Sequence, residues 1–133
     1  RIVDEGSDGY ATIAKMKKAS LLIDRGSFDD GLSIYLDLEK NAVDQSFRDI
    51  ATILYVLNSM DKTDPETLLK KIEPLEKSKV WQSSALELKA FVLLKDNRKK
   101  LAKEVFQSIL NLKTSPSSLS TRARNMIEYL KEE

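Results

Sequence analysis

Residues 90–109 read AFVLLKDNRKKLAKEVFQSI, and this stretch decides the fold. An apolar run stops at Asp96-Asn97. After Arg98 the apolar residues return at Leu101, Ala102, Val105, Phe106 and Ile109, three and four apart. That pattern is helix, turn, helix. Inside it, Ala90, Ala102, Phe106 and Ile109 stand at tetratricopeptide spacing, with Pro116 two places beyond the proline that closes such a repeat. The small residues let two helices approach closely, and the aromatic fills the junction with the next pair.

Ala19, Gly31, Tyr35 and Leu38 repeat the spacing 71 residues earlier, two periods of about 34 plus a short insertion. A degenerate middle pair around Leu54, Leu68 and Ile72 falls between them. The sequence therefore predicts an all-α, right-handed tetratricopeptide-like solenoid of about three degenerate helix pairs plus a C-terminal capping helix. An irregular bundle whose aromatics coincide is the alternative.

The individual helices follow from their start and stop signals. Residues 1–8 form a polar lead-in, and the domain covers 9–133. A first helix is predicted over about Gly9 to Arg25, with Ile13, Met16, Leu21 and Leu22 among its apolar positions and Gly26 as its C-cap. A second follows Ser27. A third, over about Ser46 to Met60, is apolar nearly all round and so predicted to be central and buried. Thr63-Asp64-Pro65-Glu66 starts a fourth, which Pro74 should kink or end. The fifth covers about Val80 to Lys95, the sixth Arg98 to Leu112, and Ser115-Pro116 caps a seventh. Short loops imply mostly antiparallel neighbours.

Composition removes whole classes of chemistry. The 133 residues contain no histidine and no cysteine, so a serine–histidine triad, a thiolate nucleophile and a zinc site of the usual kind are excluded. All four glycines lie within the first 31 residues, which leaves few positive-φ turns for a sheet protein. The longest apolar runs are five residues, far below the roughly 20 needed to span a bilayer. No catalytic residue, metal site or cofactor is predicted.

Three motifs imitate chemistry. Gly26-Ser27-Phe28-Asp29-Asp30-Gly31-Leu32-Ser33 resembles a phosphate loop. However, it has leucine where lysine must reach the phosphates, and two aspartates that repel them. It reads as an inter-helix turn. Carboxylate neighbours Asp29/Asp30 and Glu132/Glu133 diverge by about 100° on a helix and read as cap and solvated end. Asp61 and Asp64 lack the ligand series of a calcium loop.

The net charge of +1 hides a polarity. Residues 1–76 carry 10 basic and 15 acidic groups, net −5, whereas 77–113 carry 9 and 3, net +6. Arg98, Lys99, Lys100 and Lys103 cluster at one helix start, where cations oppose the macrodipole. A solvated or protein-binding face explains the cluster better than nucleic acid does, because no stacking platform interleaves the basic residues. Head-to-tail self-contact between the oppositely charged halves is a weaker alternative.

The chain also resembles a family. Gly9-Tyr10-Ala11, the turn Arg25-Gly26-Ser27-Phe28-Asp29-Asp30-Gly31-Leu32, Phe47-Arg48-Asp49-Ile50-Ala51 and Trp81-Gln82-Ser83-Ser84-Ala85-Leu86-Glu87-Leu88 carry the resemblance. It is to the membrane-anchored, tetratricopeptide-like envelope proteins related to YfgM, the ancillary subunit of the SecYEG translocon, especially their alphaproteobacterial branch. Gly31 departs from the family's usual alanine, and the chain is richer in lysine and serine. The resemblance implies a transmembrane helix ahead of Arg1, with residues 1–8 as its linker, and a domain on the periplasmic side of the bacterial inner membrane. It implies translocon subunits, periplasmic chaperones or secreted chains as partners.

In a tetratricopeptide array the first helix of each pair lines the concave groove. Carrying that geometry over predicts Met16, Ser20, Arg48, Thr52, Tyr55, Glu87, Phe91 and Lys95 as the partner-binding face, a surface suited to a peptide or helix. Trp81 is read as core. The functional expectation is a non-catalytic scaffold or adaptor of the cell envelope. The alternatives are a soluble tetratricopeptide adaptor unrelated to secretion and a basic nucleic-acid-binding module.

Overall fold

The structure is a computed structural model that describes residues 2–131, with side chains from Gly9 onward. Within these residues there are seven α-helices and no strand: α1 Ile2–Asp24, α2 Phe28–Asn41, α3 Gln45–Ser59, α4 Pro65–Glu76, α5 Gln82–Lys95, α6 Lys99–Asn111 and α7 Ser117–Lys131. They divide into two compact units between Ser59 and Met60. Where the sequence reads one repeat array, the cut falls through the expected middle pair. Periodicity identifies the helices, not which of them share a core.

In the first unit α2 packs against both α1 and α3. Gly26, at φ 87°, reverses the chain after α1, a conformation that needs no Cβ. The close approach sits at the predicted register. Ala19, Gly31, Tyr35 and Leu38 are all buried. A Cβ placed on Gly31 would lie 2.6 Å from Ile23 Cγ1 and 2.8 Å from the Ala19 carbonyl oxygen, so only glycine fits there without displacement.

In the second unit α5 packs against α4 and α6, α6 packs against α7, and α5 also reaches α7. Ala90, Ala102, Phe106 and Ile109 have no exposed surface. Phe106 meets Phe91 edge to face at 5.5 Å, and Leu119, Ala123, Ile127 and Leu130 of α7 complete that core. Asn97, at φ 60°, makes the α5–α6 turn where the first unit uses a glycine. Asp64 caps α4 by accepting from the Thr67 backbone N–H at 3.2 Å, with Pro65 in the first turn.

Several boundaries differ from the sequence reading. Helix α1 begins at Ile2 rather than near Gly9, through the Gly6-Ser7-Asp8 signal. Such residues cost a helix interior about 1 kcal/mol or less each, so a stop signal of this kind is weak. Pro74 stands inside α4, which ends two residues later. Helix α5 starts at Gln82, leaving Val80 exposed and Trp81 half-buried at the N-cap rather than in the core.

Helix α3 is not the buried centre that its apolar content suggests. Leu57 is 56 % exposed and Phe47, Ile50, Ile53 and Leu54 are half-buried. Likewise Ile13 and Leu21 of α1 face solvent, while Thr12 and Ala19 take the inward positions. The Glu132/Glu133 pair lies outside the described residues.

Candidate partner-binding surface

The eight residues expected to line a groove fall in both units. In the first, Met16 packs against the cluster of Leu38, Ala42 and Ala51, and Ser20 is exposed. Arg48 works as a clamp on the α2–α3 turn. Its guanidinium donates to the Ala42 carbonyl at 2.6 Å and to Gln45 Oε1 at 2.9 Å, which satisfies a carbonyl at the end of α2. Thr52 is buried and donates its hydroxyl to Glu39 Oε2 of α2 at 2.6 Å. Tyr55 is buried one turn further along α3.

In the second unit Glu87, Phe91 and Lys95 stand four residues apart along α5. Each is engaged. Glu87 accepts both Arg122 Nε at 2.8 Å and Nη2 at 3.0 Å, a bidentate pair joining α5 to α7. The carboxylate's hydrogen bond and charge raise the Arg122 pKa further above its ordinary value. Phe91 is half-buried against Phe106, and Lys95 pairs with Asp61 ahead of α4. The face that the repeat geometry assigns to a partner is thus also the face on which neighbouring helices are joined. Ser20 and Lys95 are its exposed positions.

The predicted basic patch divides. Arg98 lies 3.3 Å from Glu66 of α4 and 3.8 Å from Asp96, and Lys89 pairs with Glu76 at 3.1 Å. Two of these acids, Glu66 and Glu76, tie α4 to the start of α6 and to the middle of α5. Lys99 is exposed. Lys100 and Lys103 point elsewhere, into a cleft of about 370 Å³ between α6 and α7 that Glu104, Gln107, Ile127 and Lys131 complete.

Sequence reasoning found two of the cleft's lysines but not the cleft. The signal was present in register. Lys100, Lys103, Glu104 and Gln107 share one face of α6, and Ile127 and Lys131 are one turn apart on α7. Only the packing of α6 on α7 shows that these faces meet. A smaller pocket of about 180 Å³ in the first unit is lined by residues that include Thr12, Lys15, Asp37 and Asn41.

Among the described residues no group of three or more acidic, histidine or cysteine side chains is placed to hold a metal ion, and no helix is long and apolar enough to cross a membrane. No family model, curated protein or solved structure matches the chain.

Proposed function

We propose that this chain is a non-catalytic protein-binding scaffold made of tetratricopeptide-like hairpins. They are α1–α2 in the first unit and α5–α6 in the second, with α3 and α7 each standing where the next repeat's first helix would. One observation carries the reading: the two sets of register residues, from Ala19 to Leu38 and from Ala90 to Ile109, are buried at corresponding places in two separate units. A repeated joint of this kind fixes helix pairs rigidly and leaves their outer faces free to vary, which suits recognition of extended partners. Charged residues there would steer and orient a partner more than hold it.

The proposal extends to the cell envelope on the strength of the resemblance in the sequence. There the domain would stand on the periplasmic side of a bacterial inner membrane, beside the translocon, its chaperones or emerging chains. Equilibrium binding to a panel of short peptides of acidic, basic and apolar composition tests the binding function. Saturable, stoichiometric binding to one class is expected. Absence of binding across the panel, and to the envelope proteins of the host, would remove the scaffold reading. Fractionation of the full-length gene product tests the location: recovery with the inner membrane is expected, and recovery in the cytoplasm contradicts it.

A further inference from the structure

The α6–α7 cleft carries an inference about the partner's chemistry, and it rests on the binding reading above. Three lysines, Lys100, Lys103 and Lys131, surround it, and Ile127, largely buried in the core of the second unit, contributes to its wall. Its size of about 370 Å³ is that of a site for a few side chains rather than a single ion.

Two of these cations, Lys100 and Lys103, work against the helix that holds them. Lys100 lies in the first turn of α6 and Lys103 in the next, at the positive end of the macrodipole. That turn has no acidic residue and no side-chain cap from Arg98. Nearby acids relieve Arg98 through Glu66 and Lys131 through Glu128 at 3.3 Å. Helix α6 contributes one carboxylate to the cleft, Glu104, next to Lys103 in sequence.

We infer that the cleft docks an acidic, amphipathic peptide segment of a partner protein, with an apolar side chain set against Ile127 and carboxylates reaching the three lysines. Charge complementarity selects this occupant. Lysine ammonium groups spaced along two helices match separate carboxylates. Glu104 within the lining disfavours a continuous polyanion such as a phosphate backbone, and the cleft offers no aromatic platform for bases. The small part of Ile127 left uncovered and the (CH₂)₄ stems of the lysines supply the apolar contact.

Fluorescence anisotropy with defined probes tests this. The main probe is a labelled peptide of Asp, Ala and two leucines spaced four apart. Its companions replace Leu by Ser or Asp by Asn, and labelled oligothymidine and phosphatidylglycerol vesicles stand for the other anions. The acidic amphipathic peptide is expected to bind the native chain. It should bind the variant Lys100→Gln/Lys103→Gln/Lys131→Gln about tenfold more weakly, the sum of three surface ion pairs. The charge-matched variant Lys77→Gln/Lys79→Gln/Lys113→Gln should stay within about twofold of native, and both altered peptides should bind worse than the parent.

Equal losses in the two triple variants, or no loss in either, would overturn the cleft while leaving a binding scaffold in place. Tighter, cleft-dependent binding of oligothymidine or vesicles would overturn the peptide as occupant. If neither these peptides nor any member of the wider panel binds, the scaffold reading falls with the cleft.

Discussion

Replacing Gly31 by alanine puts the helix-pair joint under a controlled load. Alanine favours helix over glycine by about 1 kcal/mol, so on propensity alone the substitution stabilises α2. The packing opposes it. The new Cβ would stand 2.6 Å from Ile23 Cγ1, 3.2 Å from Ile23 Cδ1 and 2.8 Å from the Ala19 carbonyl oxygen. Overpacking a tight interior costs roughly 1–3 kcal/mol. Part of the strain can relax through the Ile23 side chain, but the Ala19 oxygen belongs to the backbone of α1 and moves only with the helix. The expected result is a net loss of up to about 2 kcal/mol in chemical denaturation followed by circular dichroism, against a gain of about 1 kcal/mol if propensity alone acted. Ile23→Ala opens a cavity and destabilises on its own. In the double variant the two effects should be less than additive by about 1 kcal/mol, because one of the two overlaps is gone. A stability gain in Gly31→Ala matching the full propensity term of about 1 kcal/mol would refute the close approach and the repeat joint built on it.

Two further stability tests follow from local structure. Asp64→Ala removes the acceptor for the Thr67 N–H and should cost about 1 kcal/mol, read as a lowered midpoint, with Asp64→Asn retaining most of the native value. Burial, helped by the nearby charge of Asp24, raises the Tyr35 phenol above its ordinary pKa of 10.0. The unfolded chain therefore loses this proton first. The stabilisation is complete below about pH 10 and is lost as pH rises through the higher folded value. Above pH 10, Tyr35→Phe should lose less stability than the native chain in thermal melts, and parallel pH profiles would show the phenol is not held out of water.

How far the sequence could be read follows from which forces are local. The register from Ala90 to Ile109 was legible because small and aromatic residues at helical spacing report close packing whatever the partner helix. The start of α4 near Asp64 and the Gly26 turn were legible because capping and positive-φ signals act within a few residues. The outward positions of Ile13, Leu21 and Leu57 were not. An apolar stripe states that a helix has an inner face, but a helix at the edge of a unit leaves apolar residues uncovered. The tie from Lys95 to Asp61 and that from Arg98 to Glu66 span 34 and 32 residues, so they depend on how α4 lies against α5 and its turn. For the same reason Arg98 of the basic cluster became a tie to α4, while Lys131, distant in sequence, joined Lys100 and Lys103 in a cleft.

Site-specific photo-crosslinking in the living host puts the scaffold reading most directly at risk. A photoreactive residue would replace Ser20, on the open part of the predicted groove, or Gln107, in the α6–α7 cleft, with Lys79 as an exposed control outside both. The account expects discrete adducts with the same few proteins from Ser20 or Gln107 and none of them from Lys79. Identical adducts from all three positions, or none from any, would contradict it.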